Sequence, residues 1–98
     1  MAGCDWYLYL LRCRDGSLYS GIAQDPEKRT RAHNAGRGAD YTARRRPVTL
    51  VYTERHPTKS AARRREMQIK RWRAEKKNQL VRGFPSTGSL RLRSGQAG

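Results

Sequence analysis

Residues 6–22 restrict the fold more than any other part of the sequence, because two short apolar runs flank a turn dipeptide. The first run, Trp6 to Cys13 (WYLYLLRC), is aromatic and aliphatic over nearly its whole length, which is typical of a strand buried on both faces. The second run, Leu18 to Ile22, is long enough for a short strand, and Asp15-Gly16 between the runs favours a tight turn. The pattern predicts a β-hairpin.

The length of this turn decides which side chains share a face of the hairpin. With a two-residue loop, Tyr9 and Tyr19 would lie on opposite faces. With a three-residue loop over 14–16 and Gly16 in a left-handed conformation, Tyr9 pairs with Gly21 and the two tyrosines become diagonal neighbours on one face. We predict the three-residue loop, because the two tyrosines can act at one site only in that register.

A helix is predicted directly after the hairpin. Asp25 supplies a capping side chain, Pro26 suits the first turn, and Glu27 places an acid near the positive end of the helix dipole. This helix should run to about Ala35 and end at Gly36.

The remaining predicted elements complete an α+β domain. A flexible basic loop over Gly36–Arg46 precedes a third strand over Pro47–Thr53, in which apolar residues alternate. A long helix over about Lys59–Arg73 carries an apolar stripe, and a short helix over Ala74–Arg82 follows. The members of the stripe are Ala61, Ala62, Ile69 and Trp72. We therefore predict a three-stranded antiparallel sheet flanked by helices.

The chain has 98 residues, enough for one domain with a modest core. From Gly83 onward the composition turns to Gly, Ser, Pro and Arg without periodicity, so we expect a folded domain over 1–82 and a flexible basic tail over 83–98. Cys4 and Cys13 lack the spacing of metal ligands, and there is no secretory signal or long apolar run. These features predict free thiols, a cytoplasmic location and no membrane association.

The charge of the chain points to a polyanionic partner. Lys and Arg number 22 against 8 acidic residues, which gives a net charge of +14. Such a field raises the local concentration of nucleic acid and speeds encounter with it. A ribosome-like protein with a solvated basic surface has a similar composition, so charge alone does not identify a nuclease.

Four sequence features follow one another in a fixed order along most of the chain. They are Tyr7-Leu8-Tyr9, Tyr19-Ser20-Gly21, Arg29 at the start of a helix, and Glu66 within a later helix. This ordered set, from about Trp6 to Val81, resembles the GIY-YIG nuclease domain. In that family a tyrosine-bearing hairpin, a helix arginine and a helix glutamate gather around one divalent metal ion to cut a phosphodiester. The resemblance implies one bound Mg or Mn ion.

The resemblance also implies a role for each matching residue. Glu66 would be the sole protein ligand of the metal ion, and Tyr19 the general base acting on the attacking water. Tyr9 would hold the water or the phosphate by a hydrogen bond. Arg29 would bind phosphate oxygens, and His33, one helical turn later on the same face, would lie near the scissile phosphate. A phenol has an ordinary pKa of roughly 10, so Tyr19 would need positive charge nearby to act near neutrality.

Each of these residues also has an ordinary structural interpretation. Strand tyrosines commonly pack in a core with the hydroxyl at the rim. Glu66 could form a surface salt bridge with Lys70 at i+4. His33 could be a solvated helix residue.

The basic loop supplies candidate nucleic-acid contacts. Tyr41 could stack on a base, as aromatic residues do in sequence-tolerant single-strand binders, or could hold the loop against the sheet. Arg44, Arg45 and Arg46 are predicted to contact backbone phosphates, each adding about one unit to the salt dependence of binding.

Three positions depart from the family pattern. Tyr7 stands where the first motif has glycine, Ser20 stands where the second has isoleucine, and Ile22 stands where some relatives have a lysine that assists the base. The mechanism does not require these residues, although their loss could lower the rate.

Two functions from different classes follow from the sequence. The first is a metal-dependent DNA endonuclease that favours single-stranded or branched DNA, since we expect no attached DNA-targeting domain. DNA repair, recombination or DNA uptake would each suit it. The alternative is a catalytically inactive or partner-activated nucleic-acid-binding module with the same fold.

Overall fold

The computed structural model describes residues 5–83, which contain three strands and four helices. In chain order they are β1 (Trp6–Arg12), β2 (Leu18–Ala23), α1 (Pro26–Asn34), α2 (Asp40–Ala43), β3 (Thr49–His56), α3 (Lys59–Lys70) and α4 (Ala74–Arg82). The strands form one antiparallel sheet in the order β2-β1-β3. The predicted α+β class is confirmed. The predicted basic tail, beyond Gly83, lies outside the described residues.

The hairpin has the predicted register. Tyr9 lies opposite Gly21 and Leu11 lies opposite Tyr19. The Cys13 amide donates to the Ser17 carbonyl at 2.8 Å, which closes a three-residue loop. Gly16 has a φ of 89° in that loop, a conformation that glycine adopts without the steric cost of a Cβ. The two-residue loop is therefore wrong, and the tyrosines share a face.

The central position of β1 gives the domain a core on both sides of the sheet. On one face, Leu8 and Leu10 pack with Tyr52 of β3 and Ile69 of α3, and residues of α4 pack against them. The other face buries Tyr9 and Leu11 together with Cys13 and Val48. A fully buried leucine stabilises the fold by about 1.5–3 kcal/mol, so these two clusters account for much of the sheet's stability.

The structure confirms the two predicted helices whose limits the sequence marks most clearly. The Asp25 carboxylate accepts a hydrogen bond from the Lys28 amide at 3.1 Å and caps α1, which is followed by Gly36 at a φ of 83°. The short helix over Ala74–Arg82 is present as predicted, and its Leu80 packs against the core.

Four features of the predicted pattern were wrong. The loop over Gly36–Arg46 contains the helical turn α2. The third strand ends at His56 rather than Thr53. It begins at Thr49 rather than Pro47, because the side chain of Asn34 bonds both backbone groups of Val48, at 2.7 Å to its amide and 2.9 Å to its carbonyl. Helix α3 ends at Lys70 rather than Arg73.

The outer strand β3 carries a polar network on its side chains. The Glu54 carboxylate accepts hydrogen bonds from Tyr52 at 2.7 Å and from Arg65 at 2.9 Å, and lies 2.8 Å from His56 Nε2. The network joins β3 to α3 through Arg65. None of the helices within residues 5–83 is long and apolar enough to cross a membrane.

Candidate active site

The Tyr9 side chain lies at the centre of the candidate site. It is 2% exposed on the central strand, and its ring passes over Gly21 of the neighbouring strand. A Cβ at position 21 would lie 2.6 Å from Tyr9 Oη, closer than any ordinary contact. The glycine of the second motif therefore has a packing reason: it leaves room for the Tyr9 phenol.

Helix α1 places His33 against this phenol. His33 is fully buried, with Nε2 3.1 Å from Tyr9 Oη and Nδ1 2.7 Å from Thr42 Oγ1. The interpretation of His33 as a solvated helix residue is therefore wrong. Burial first, and then the positive charge of Arg29, lower the pKa of His33 below its ordinary value, so the ring is neutral near pH 7.

The other motif residues act on the same phenol. Burial, and after it the charge of Tyr19, raise the pKa of Tyr9 to about 12. Arg29 opposes this shift and Glu66 adds to it slightly. Tyr19, Arg29 and Glu66, which are far apart in the sequence, thus all lie close enough to Tyr9 to act on its phenol, as a shared site requires.

Glu66 is buried on α3, and its side chain is 11% exposed. Its Oε2 lies 3.4 Å from Lys70 Nζ. The i+4 pair therefore forms, but its acidic member is largely buried rather than exposed to bulk solvent.

Tyr19 belongs to a stack of rings beside His33. Its ring meets the His33 ring edge-on at 5.3 Å between centroids, and the Tyr41 ring stacks on it at 6.0 Å. The Arg45 guanidinium lies 3.8 Å from the Tyr41 centroid and bonds Asp15 of the hairpin turn at 3.1 Å. Of the two interpretations of Tyr41, this geometry favours the one in which it holds the loop against the sheet, although the residue remains 39% exposed.

The three consecutive arginines are not equivalent. Arg45 donates to the Tyr41 carbonyl in addition to its contacts with Asp15, and Arg46 donates to the carbonyls of Ala43 and Asn34. Arg44 is exposed and makes no side-chain hydrogen bond or ion pair within the described residues. The structure therefore leaves only one of the three free of internal side-chain bonds.

Arg44 lies on the wall of an open cleft of about 510 Å³. The lining residues are Arg14, Asn34, Ala43, Arg44, Arg46 and Pro47. Three guanidinium-bearing residues line this cleft and no acidic residue does. Sequence reasoning missed Arg14 as a member, because it comes from the hairpin turn rather than the basic run.

Sequence reasoning also missed Thr42 and Gly38, which hold His33 in place. The Thr42 hydroxyl bonds His33 Nδ1, and a Cβ at Gly38 would lie 2.6 Å from His33 Cε1. Neither residue carries a sequence signal of its own. Only the burial of His33, which requires partners for both ring nitrogens, would have prompted a search for them.

The chemistry of Glu66 fits a single divalent ion. Within residues 5–83 no group of three or more His, Cys, Asp or Glu side chains could hold a metal. Mg²⁺ is often held by one or two carboxylates together with water and substrate phosphate oxygens, and a buried carboxylate is a suitable hard ligand.

Comparison with known proteins decides the family. The model of the GIY-YIG catalytic domain matches residues 5–79. The chain belongs to the GIY-YIG family. It is therefore a member of a nuclease family that acts on nucleic acids and typically depends on divalent metal ions.

Several relatives are similar over most of their length. A UPF0213 protein of Staphylococcus saprophyticus is 53% identical over 75 residues, which covers 76% of this chain and 92% of that protein. A UPF0213 protein of Staphylococcus aureus is 49% identical over 76 residues, or 78% of this chain and 93% of that protein.

Two structures determined by solution NMR have a fold similar to that of this chain. A UPF0213 protein from Bacillus halodurans matches with a TM-score of 0.52 and 42% identity. A protein from E. faecalis matches with a TM-score of 0.55 and 41% identity. Each match covers 80% of this chain and 83% of the other.

Proposed function

We propose that this GIY-YIG protein is a metal-dependent DNA endonuclease that hydrolyses phosphodiester bonds and favours single-stranded or branched DNA. The observation that supports this proposal most directly is that Tyr19, Arg29 and Glu66 all act on the buried Tyr9 phenol. A module that had lost its activity would have no need to keep the Glu66 carboxylate buried, since burying a charge is unfavourable.

The two tyrosines have different tasks in this proposal. Tyr9 is neutral near pH 7, because its pKa of about 12 is far above that value. It therefore orients the attacking water or the phosphate by hydrogen bonding. Tyr19 is only partly buried and lies at the side of the cluster that reaches solvent. In its ionised form it takes one proton from the attacking water, which re-forms the neutral phenol as the water oxygen attacks the phosphorus.

Arg29 binds the phosphate. It is exposed, it stays charged at any physiological pH, and its guanidinium has five N–H donors. One donor serves the Tyr9 phenol, and the rest suffice for a two-point contact with phosphate oxygens. The charge of Arg29 then lies next to the negative charge that develops on the phosphate.

Glu66 would hold the Mg or Mn ion. When bound, the ion would polarise the phosphate and stabilise the departing oxygen. Lys70 pairs with Glu66 Oε2 in the structure described here. The lysine thus neutralises the buried carboxylate and keeps it oriented along the helix.

The cleft lined by Arg14, Arg44 and Arg46 binds further phosphates of the strand. Like charges in one concave surface repel one another, and a polyanion relieves that repulsion. Arg14 and Arg44 contribute most to binding, because neither guanidinium has a side-chain partner within the described residues. Arg45 contributes mainly by holding Tyr41. The Tyr41 ring already stacks with Tyr19 and with the Arg45 guanidinium, so its exposed part offers an unpaired base a contact at the ring edge, which favours substrates with single-stranded character.

A cleavage panel tests the proposal. Labelled single-stranded, duplex, flap and junction DNA are incubated with Mg or Mn, and with chelator, beside the Glu66→Gln variant. We expect metal-dependent cuts by the natural protein and none by Glu66→Gln, which should still bind DNA. Glu75→Gln, an exposed acid on α4, is the matched control and should cut normally.

Three results would contradict parts of this proposal. Retained cleavage by Glu66→Gln would show that another carboxylate holds the metal. Binding of DNA without cleavage on any substrate would favour the inactive module. Cleavage that appears only after a protein fraction is added would show that a partner activates the nuclease.

A further inference from the structure

The hydrogen bonds around His33 have a direction that the donors and acceptors fix. Among the described residues, Tyr9 Oη lies 3.1 Å from His33 Nε2, and the Arg29 guanidinium lies near the phenol. Arginine is only a donor. The phenol is buried and keeps its proton near pH 7, so its O–H needs an acceptor. His33 Nε2 is the acceptor, and it must be unprotonated.

The other ring nitrogen leads to the same tautomer. A neutral imidazole with a bare Nε2 carries its proton on Nδ1, and Nδ1 lies 2.7 Å from Thr42 Oγ1. The threonine hydroxyl in turn donates to the Ala39 carbonyl at 2.9 Å. Thr42 can therefore accept from His33 while its own proton is used elsewhere. The Tyr9 O–H, the His33 Nδ1–H and the Thr42 hydroxyl thus each donate to one acceptor.

The opposite direction leaves a donor without an acceptor. If the Thr42 hydroxyl donated to Nδ1, the ring proton would be on Nε2 and would point at Tyr9 Oη. The phenol would then receive a hydrogen from His33, and its own O–H would have no acceptor among these partners. An unsatisfied buried donor is unfavourable, because it has lost its hydrogen bond to water without gaining another. The first direction is therefore favoured.

The position of the ring is fixed as well. A Cβ at Gly38 would overlap the His33 ring, at 2.6 Å from Cε1 and from Cγ, so the backbone of residue 38 packs directly on the imidazole. The backbone of residue 38 therefore hinders both a flip of the His33 ring and its movement toward that side. Thr42 then selects the tautomer of a ring that packing already holds in place.

We propose that Thr42 is a positioning residue for the reaction: its hydroxyl holds His33 in the Nδ1–H tautomer, so that the Tyr9 O–H donates to His33 Nε2 and the phenol oxygen offers only lone pairs to Arg29 and the attacking water. The consequence for catalysis rests on the proposed nuclease function. The tautomer itself does not. In this arrangement Tyr9 accepts a hydrogen bond from the attacking water and orients its oxygen toward the phosphorus.

The tautomer can be measured without any activity. Long-range ¹H–¹⁵N correlation spectra of ¹⁵N-labelled protein near pH 7.5 distinguish a protonated ring nitrogen from a bare one. We expect His33 to be protonated on Nδ1 in the natural protein and in Thr42→Ser, which keeps the hydroxyl. In Thr42→Val, which keeps the shape of the side chain, a substantial fraction should shift to the Nε2–H form. Thr49→Val, an exposed threonine of β3, is the control and should leave the spectrum unchanged.

Kinetics test the positioning role. We expect Thr42→Val to lower kcat about tenfold with KM nearly unchanged, since one oriented hydrogen bond in the transition state has an effect of that size. Thr42→Ser should restore kcat. If Thr42→Val does not fold by circular dichroism, the spectra of the natural protein and Thr42→Ser still decide the tautomer.

Several outcomes would overturn the proposal. An Nε2–H tautomer in the natural protein would do so whether or not the protein cuts DNA. A shifted tautomer in Thr42→Val with unchanged kcat would remove the positioning role. If the natural protein cuts no nucleic acid while His33 carries its proton on Nδ1, the nuclease proposal fails and the assigned tautomer stands.

Discussion

Replacing Gly21 with alanine tests whether the Tyr9 phenol is held where the structure shows it. An added Cβ would lie 2.6 Å from Tyr9 Oη and 2.7 Å from Cζ, against an ordinary contact of 3.4 Å or more. The phenol would have to retreat by about 0.8 Å. It is 2% exposed and is bonded to His33 at its tip, so it has no free space to retreat into.

The expected cost follows from two opposing effects. Alanine in a strand would ordinarily gain about 0.5–1 kcal/mol over glycine. Overpacking a well-filled site costs about 1–3 kcal/mol, and an overlap of this depth belongs at the upper end. We therefore expect a net loss of about 1–2 kcal/mol, and the midpoint of thermal unfolding falls by about 4–8 °C for each kcal/mol in a domain of this size.

The catalytic effect should exceed the effect on stability. A displacement of about 1 Å at a reacting group can lower a rate about 100-fold. We expect Gly21→Ala to cut DNA much more slowly at a temperature where it is fully folded. The measurements are thermal and urea unfolding followed by circular dichroism, and cleavage of a single-stranded oligonucleotide with Mg.

Gly83→Ala is the matched control for this prediction. A Cβ there would meet backbone oxygens at 3.7 Å, an ordinary contact. Its stability should stay equal or rise slightly. If Gly21→Ala were as stable and as active as Gly83→Ala, the placement of the Tyr9 ring over Gly21 would be refuted, and with it the cluster built around that phenol.

Two further predictions concern charged side chains. Arg44→Ala should lower the salt slope of DNA binding by about one unit without changing the midpoint of thermal unfolding. Arg45→Ala should instead lower that midpoint, because Arg45 joins Tyr41 to Asp15. Equal salt slopes and equal midpoints for the two variants would contradict this. Burial alone would raise the pKa of Glu54, but its three hydrogen bonds outweigh that effect and lower it below the ordinary value of 4.5. Because this pKa is depressed in the folded state, the ionised Glu54 side chain stabilises the protein above pH 4.5, and that stabilisation is lost as the pH falls further. Glu54→Gln should therefore make the free energy of unfolding less dependent on pH in the acid range.

Local signals in the sequence were sufficient for the hairpin and the first helix. The Asp15-Gly16 turn and the capping residue Asp25 act through contacts within about four residues, so the energies that select these structures are already present in a short segment. Glu66 was predicted to be the metal ligand by its resemblance to a family motif. Its burial was not readable from its neighbours, which are mostly basic.

Other features depended on partners far along the chain. The Asn34 side chain, 14 residues away, determines where β3 begins, and Asp15, 30 residues away, forms an ion pair with Arg45 that the basic run itself did not indicate. The bond between His33 and Thr42 likewise exists only after α1 and α2 have packed together.

The sequence by itself determined the class of the fold, the presence of the tyrosine hairpin and the net charge that selects a nucleic acid as partner. Those properties follow from periodicity, turn residues and composition, each of which is local or a simple sum. The register of the hairpin was predicted from the requirement that both tyrosines share a site, and the structure confirmed it. The tertiary structure alone decided which arginine is free to bind phosphate, which ring nitrogen of His33 faces Tyr9, and that Glu66 points inward. These depend on directed hydrogen bonds and burial, which come into existence only when distant segments meet.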